Sequence, residues 1–411
     1  MEEPIIASVE FQMSLLLFVA LAGYLIAYRI NQSAVVGVIL AGIVVGPSWL
    51  GLVTYTDFVS SLAHLGAVVL LFTIGLEFQV KEIANVKYFL IALVGVIVPW
   101  IGGFFLAELF GFGYEASIFI GTALTATSIA ITANVLREMG KLQTSAGRAI
   151  IGAAIIDDVL AFLALSMSEG IVSGTLSLTS ILIIAAKAIG FIAVGIIIGR
   201  VVMGKLLARL DGTRLAEKYP ESIFIFAMMA AFLYAMLAEV VGLSAIVGSF
   251  LAGISFAGVS LKRCEIFKEG AEHLQIIFAS IFFISLGVLM DLHVITLNLL
   301  LFVLALTAVA ILTKLIGCGV PAKLQGMNVR DSLIVGVGMV PRGEVAMIVA
   351  LIGLNQELIL QDTYSALILM SLLTTIIPPL ILRNWLFKAK GEGLKNVATA
   401  SCKPDSSHQQ K

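Results

Sequence analysis

Apolar residues along this chain come in long runs separated by short polar breaks. A run of about 20 mostly apolar residues is enough to cross a bilayer as a helix. Thirteen stretches are candidates: residues 12–28, 33–50, 60–77, 86–110, 116–136, 147–168, 176–199, 221–240, 243–258, 271–290, 295–318, 331–353 and 363–386. Helices are the expected element throughout, because backbone polar groups cannot be left bare in hydrocarbon. The start, Met-Glu-Glu-Pro, lacks the basic region of a secretory signal, and no small-residue cleavage pattern follows the first run. That run is expected to be a retained span.

Composition points the same way. Hydrophobic residues make up 60% of the 411 and charged residues 12%, with a mean hydropathy of +1.09. A soluble domain carries roughly a quarter charged residues, so lipid must be the solvent for much of this surface. The net charge of −1 matters less than where the charges sit. With the N-terminus outside, 22 of the 25 basic residues fall in inward-facing loops or the tail. The outward loops then hold Asp57, Glu115, Glu169, Asp291, Glu357 and Asp362 and no basic residue. This is the positive-inside pattern, and a missed or extra span would scramble it. The expectation is a multi-pass protein of the inner (cytoplasmic) membrane, N-terminus outside and C-terminus cytoplasmic. Cys264, Cys318 and Cys402 have no metal-type or disulfide-type spacing. No basic run with interleaved aromatics suggests nucleic acid, and no cofactor motif is evident.

Thirteen spans divide as six, one and six. Two six-helix units separated by a single linker helix must run in opposite senses, the inverted-repeat plan of many secondary transporters. The fifth span of each unit is irregular. In the first, Gly121-Thr-Ala-Leu-Thr-Ala-Thr-Ser-Ile-Ala-Ile-Thr132 carries five hydroxyls in mid-membrane. In the second, Gly336-Val-Gly-Met-Val-Pro-Arg-Gly-Glu-Val-Ala346 carries three glycines and Pro341, which removes a helical hydrogen bond and clashes with the preceding turn. Ordinary small-residue packing would account for the hydroxyls and a simple kink for the proline. Their occurrence at equivalent places predicts two discontinuous helices crossing near mid-membrane, and broken helices at matching places are a pointer to a transporter's binding site.

Charges inside spans need a reason, since one at mid-bilayer costs at least about 2.5–3.5 kcal/mol. Asp157 and Asp158 sit side by side among aliphatic residues of the sixth span. Neighbours on a helix point roughly 100° apart, so the two carboxylates must face different partners. Lys314 and Arg342 are the available deep cations; with Glu344 the deep inventory is three acids against two bases. The acid left over is what a transported cation or proton would neutralise, since desolvation raises a carboxyl pKa and a nearby ammonium lowers it. Hard cations take oxygen ligands, and Thr125, Thr127 and Ser128 with carbonyls freed at a helix break would supply them. A purely structural ion-pair network is the alternative for the aspartates, but such a network needs no second carboxylate. For Arg342 and Glu344 a structural role is the favoured reading: with Pro341 at the break, they steady the broken helix. Lys187, mid-span in the linker, is explained only by snorkelling or a subunit contact, and Glu77 by interfacial solvation near Lys81.

The run Thr122-Ala-Leu-Thr-Ala-Thr-Ser128, the motif Ile156-Asp-Asp-Val159, a lone lysine in the eleventh span and Gly338-Met-Val-Pro-Arg-Gly-Glu344 together resemble bacterial and archaeal sodium/proton antiporters. The likeness is to the NapA type of the second cation:proton antiporter family, which shares its fold with NhaA. The resemblance implies secondary active exchange of Na+ or Li+ for H+ by alternating access, with no enzymatic chemistry. It implies that Asp158 binds the ion, that Asp157 forms a salt bridge with Lys314 broken and remade during transport, and that Thr127 and its neighbours form the unwound segment. Family members with the Asp-Asp pair are electrogenic, whereas electroneutral relatives carry Asn first. It further implies a homodimer, in which a core (about 86–168 and 295–388) moves like an elevator against dimerisation helices (about 12–77 and 221–290), the linker covering about 176–200. Residues 1–390 form the membrane domain and 391–411 a short cytoplasmic tail expected to be disordered. Potassium-efflux relatives carry a large cytosolic nucleotide-binding domain, whereas about 25 residues follow the last span here, which weighs against a K+/H+ antiporter. Two other classes stay open. A sodium-coupled organic anion symporter shares the plan. An intramembrane aspartyl protease needs two aspartates from different helices, which this pair does not offer.

Overall fold

The computed structural model of the chain describes residues 8–78, 86–174, 178–259, 261–290, 293 and 297–387. Among these residues there is no strand, and the fold is all-helical. The expected tail 391–411, and Lys81 and Asp291 of the charge pattern, lie outside the described residues.

The helices are α1 (Val9–Ile30), α2 (Ala34–Val45), α3 (Asp57–Gly75), α4 (Val86–Leu109), α5 (Tyr114–Ala123), α6 (Ile129–Glu138), α7 (Ser145–Val172) and α8 (Leu178–Ile198). A π turn, Gly199–Met203, carries α8 on into α9 (Gly204–Asp211). After the one-turn α10 (Arg214–Lys218) come α11 (Ser222–Val240), α12 (Ala245–Phe256), α13 (Cys264–Val288), α14 (Leu297–Leu324), α15 (Val329–Gly338), α16 (Glu344–Asn355) and α17 (Gln361–Ile381). Among the described residues, nine helices are long and apolar enough to cross a membrane, and three shorter ones are apolar. The starts are set by local chemistry. Ser8, Ser33, Thr56, Thr144, Ser244 and Asn328 each accept a bond from an otherwise unpaired N–H of the first turn. α1 ends on Asn31 in the left-handed region, which returns its N–H to the last carbonyls.

Two stretches differ from the sequence expectation in length. α14 runs on to Leu324 with Pro321 inside its last turn, beyond the expected end at 318. The linker continues through its π turn to Asp211 rather than stopping near 199. There Asp211 is 3% exposed, and the Arg263 guanidinium holds its carboxylate at 2.9 Å. Lys187 lies on an exposed face of α8, a helix with little protein around it.

Contacts sort most helices into two groups. In one, α1 packs on α2, α2 and α3 on α13, and α12 on both α3 and α11. In the other, α14 lies along α4, α15 and α17, and α7 contacts α4, α5 and α15. The first group is held by close backbone approach at glycines. A Cβ at Gly75 of α3 would lie 2.5 Å from the Phe250 carbonyl oxygen of α12, and a Cβ at Gly253 would meet the Phe72 carbonyl in return. In lipid, where helices gain nothing from expelling water between them, such seams let dispersion contacts do the holding.

Gly75→Ala should therefore lower stability by about 1–3 kcal/mol through forced separation of α3 and α12, while Gly190→Ala, facing open space on α8, should leave it unchanged or raise it. Thermal unfolding of the two variants in detergent separates these outcomes.

Candidate functional site

The two irregular spans are both interrupted. α5 stops at Ala123 and α6 starts at Ile129; α15 stops at Gly338 and α16 starts at Glu344. Each break frees carbonyls at one helix end and N–H groups at the other, and the two breaks satisfy one another. Ser128 N–H donates to the Pro341 carbonyl at 2.7 Å. Thr132 Oγ1 donates to the Gly338 carbonyl at 2.6 Å, and Thr127 Oγ1 to that of Met339 at 3.3 Å. In return Arg342 Nη1 donates to the Ala126 carbonyl at 2.5 Å, and Thr375 Oγ1 fixes the Arg342 carbonyl at 2.8 Å. Gly343 permits this approach, since a Cβ there would sit 2.6 Å from Ser128 Oγ.

The five hydroxyls of the first break thus have separate tasks. Thr122 Oγ1 sits 2.6 Å from Ser168 Oγ on α7 and accepts from Trp100 Nε1 at 3.2 Å, pinning α5 to its neighbours. Thr125 donates to the Thr122 carbonyl at 2.7 Å and closes the end of α5. Thr127 and Thr132 bond the opposite break, and Ser128 lines a cavity.

That cavity has room for about one water-sized guest. It is walled by Thr127, Ser128 and Ile129 of the first break, Gly343 and Val345 of the second, Asp158 of α7, and Ser244 and Ile246 at the start of α12. The N-terminal ends of α6, α16 and α12 all meet there, and helix N-termini carry partial positive charge. Asp158 is 6% exposed.

Asp157, one residue earlier on α7, faces elsewhere. Its Oδ1 accepts from Lys314 Nζ of α14 at 2.9 Å, with both side chains fully buried. Its Oδ2 is buried without a hydrogen-bond partner, as are Arg342 Nε and Nη2, and the Arg342 guanidinium interacts electrostatically with Asp157. Both deep cations therefore act on Asp157, and neither lines the cavity at Asp158.

The structure thus brings Asp158, Thr127 and Ser128 together at the cavity, and Asp157, Lys314 and Arg342 together behind it. Thr125 is not among the lining residues. Pro341, having no N–H to offer, supplies the carbonyl that Ser128 needs. Glu344 begins α16, and its side chain lies outside what is described. Sequence reasoning missed Ser244 and Ile246, although a serine preceding an apolar run was a visible helix-start signal. It also missed Gly95 and Cys318. A Cβ at Gly95 of α4 would collide with Cys318 Sγ, one turn from Lys314 on α14, so glycine there leaves room for the buried cysteine. Glu77, expected near Lys81, pairs with Arg137 at 2.9 Å.

Comparison with known proteins places these features in company. Residues 15–388 match the family described as sodium/hydrogen exchanger, transmembrane. The Na(+)/H(+)-K(+) antiporter GerN of Bacillus cereus is 35% identical over 388 residues, 94% of this chain and 98% of the relative. A Na(+)/H(+) antiporter of Enterococcus hirae is 34% identical over 377 residues, covering 90% and 96%. The solved structure of the sodium proton antiporter MjNhaP1 from Methanocaldococcus jannaschii at pH 8 superposes with a TM-score of 0.66 at 16% identity, covering 91% of this chain and 96% of that one.

Removing one partner of the buried pair leaves the other charge stranded, a loss of about 3–5 kcal/mol. Lys314→Met alone should cost about that much in thermal stability, and adding Asp157→Asn should restore most of it. A double-mutant cycle in detergent reads the coupling.

Proposed function

Because the chain belongs to the sodium/hydrogen exchanger family, we propose that the cavity beside Asp158 is where Na+ or Li+ competes with H+ for a single carboxylate, the exchange being driven by alternating access. The observation that carries this reading is the division between the aspartates. Asp157 has two cations acting on it, while Asp158 faces a guest-sized space among oxygens of Thr127 and Ser128. A hard cation finds there a carboxylate and hydroxyls. A proton satisfies the same carboxylate by neutralising it. Loaded with either, the site is close to neutral for its passage through an apolar barrier; empty, it carries a buried charge whose desolvation disfavours the passage. That difference couples the two ions.

Asp157 and Lys314 supply the second part of the cycle. A cation arriving near Asp157 competes with the Lys314 ammonium for it, so the pair opens as the ion enters and closes as it leaves. With a full Asp-Asp pair, more than one positive charge can be returned per cation, which supports electrogenic exchange. The proposed architecture is thirteen passes: nine long helices, the short α2 and α12, and the two broken pairs. Second-position helices of equal length, 12 residues each, and fifth-position breaks in both halves support an inverted repeat. The group containing α4, α7, α14 and α17 is the moving core, and the group of α1, α2, α3, α11, α12 and α13 is the scaffold and the homodimer face, with the N-terminus outside and the C-terminus in the cytoplasm of a cell whose inner membrane it spans. Potassium is a second reading for the transported ion, favoured by the name of the Bacillus cereus relative.

Asp158→Asn should reduce exchange in proteoliposomes to the level of empty liposomes while the protein remains folded and monodisperse. A lumenal pH dye after pulses of LiCl, NaCl or KCl reads the activity and ranks the cations; full activity of the variant would overturn the reading. Lys314→Gln should alter the membrane-potential signal that accompanies a sodium pulse, and an unchanged signal would contradict the role given to the pair.

A further inference from the structure

α6 packs on α7 of the second group, and its last turn reaches across to the first group of helices. Glu138 Oε2 accepts from Ser33 Oγ at 2.6 Å and from the Ala34 N–H at 3.1 Å. A carboxylate from the broken helix thus occupies the N-terminal end of α2, where unpaired N–H groups and the helix dipole favour negative charge. Next to it, Arg137 Nε meets Glu77 Oε1 at 2.9 Å just beyond α3, and Nη2 lies 3.8 Å from Glu272 of α13. Arg137 Nη1 also bonds Gln275 of α13, whose Nε2 donates to Asn134 at 3.4 Å. Asn134 in turn holds Glu138 at 3.2 Å. At the same end, Asn384 exchanges amide bonds of 3.3 and 3.4 Å with Gln32, and Arg383 donates to Asn31 at 3.3 Å.

Almost all of these bonds run between the two groups of helices, and all are polar. Water can take their place when the groups part, so opening costs little per bond. The glycine seams inside the first group have no such substitute. The other end of α6, ten residues or about 15 Å away, is Ile129 at the Asp158 cavity, whose far wall is the start of α12. One stiff half-helix thus links the polar cluster to the site.

We propose that Asn134, Arg137 and Glu138, with Ser33, Glu77, Glu272 and Gln275, form a latch that closes the molecule at the C-terminal end of α6 and directs access to Asp158 to the side of the α12 N-terminus. Opening of the latch is then a step of every exchange cycle. This rests on the cavity being the site of the transported ion.

The test uses the full-length chain with Cys264 and Cys402 replaced by serine and Val345→Cys placed in the cavity wall; the same background without Val345→Cys controls for Cys318. A membrane-impermeant maleimide is applied to intact cells and to inside-out vesicles. In the parent, labelling should be fast from one face and slow from the other. Arg137→Ala with Glu138→Ala should slow the fast face about threefold or more and speed the other, because each lost charged bond biases the two-state equilibrium. Ser33→Ala with Glu138→Gln, a milder break, should shift labelling in the same direction if the alanine pair fails to fold. Unchanged rates from both faces in a folded variant would overturn the latch. A parent that labels asymmetrically yet exchanges no cation would count against the function proposed above and leave the latch standing.

Discussion

A helix broken inside an apolar medium exposes backbone groups that have no water to turn to, and each left unpaired costs several kcal/mol. In this protein two breaks answer that cost for each other. Ser128 N–H and the hydroxyls of Thr127 and Thr132 go to carbonyls of the second break, and Arg342 goes to a carbonyl of the first. Neither interruption would be stable alone at this depth, so the crossing is a joint property of residues more than 200 positions apart. It also sorts partial charge, because N-terminal ends meet at Asp158 while the freed carbonyls draw the Arg342 guanidinium.

The neighbouring aspartates gain different surroundings from this arrangement. Helical geometry alone turns them roughly 100° apart; the crossing gives one direction a cavity, and α14 gives the other a lysine. The pair behind the cavity is incompletely satisfied. Asp157 Oδ2 and Arg342 Nε and Nη2 are buried without hydrogen-bond partners.

The helix groups are joined internally and to one another by different kinds of contact. Within the group of α1, α2, α3, α11, α12 and α13 the seams are glycine-lined, with backbone against backbone. Such seams do not slide, because any displacement loses many small contacts at once. Between the groups at the end of α6 the polar contacts are side-chain hydrogen bonds and ion pairs, which water replaces one by one, beside an apolar cluster to which Val135 and Leu136 belong.

Much of this was written in the sequence. Length and hydropathy of the runs determined that helices would fill the membrane, because hydrocarbon leaves the backbone few alternatives. Pro341 with its flanking glycines, and the hydroxyl-rich run from Thr122 to Thr132, marked where two helices would fail. The aspartates stood out because charge among aliphatic residues is costly. Other features depended on tertiary structure. That Lys314 meets Asp157, that Arg342 spends one donor on Ala126, that Thr125 turns back on its own helix while Ser244 of a distant helix walls the cavity, and that Arg137 and Glu138 reach three helices of the other group all depend on packing. A one-dimensional pattern carries no information on which face of a helix meets which neighbour. In a membrane, where apolar residues cover every face, the periodicity that reveals a buried side in soluble helices is largely erased.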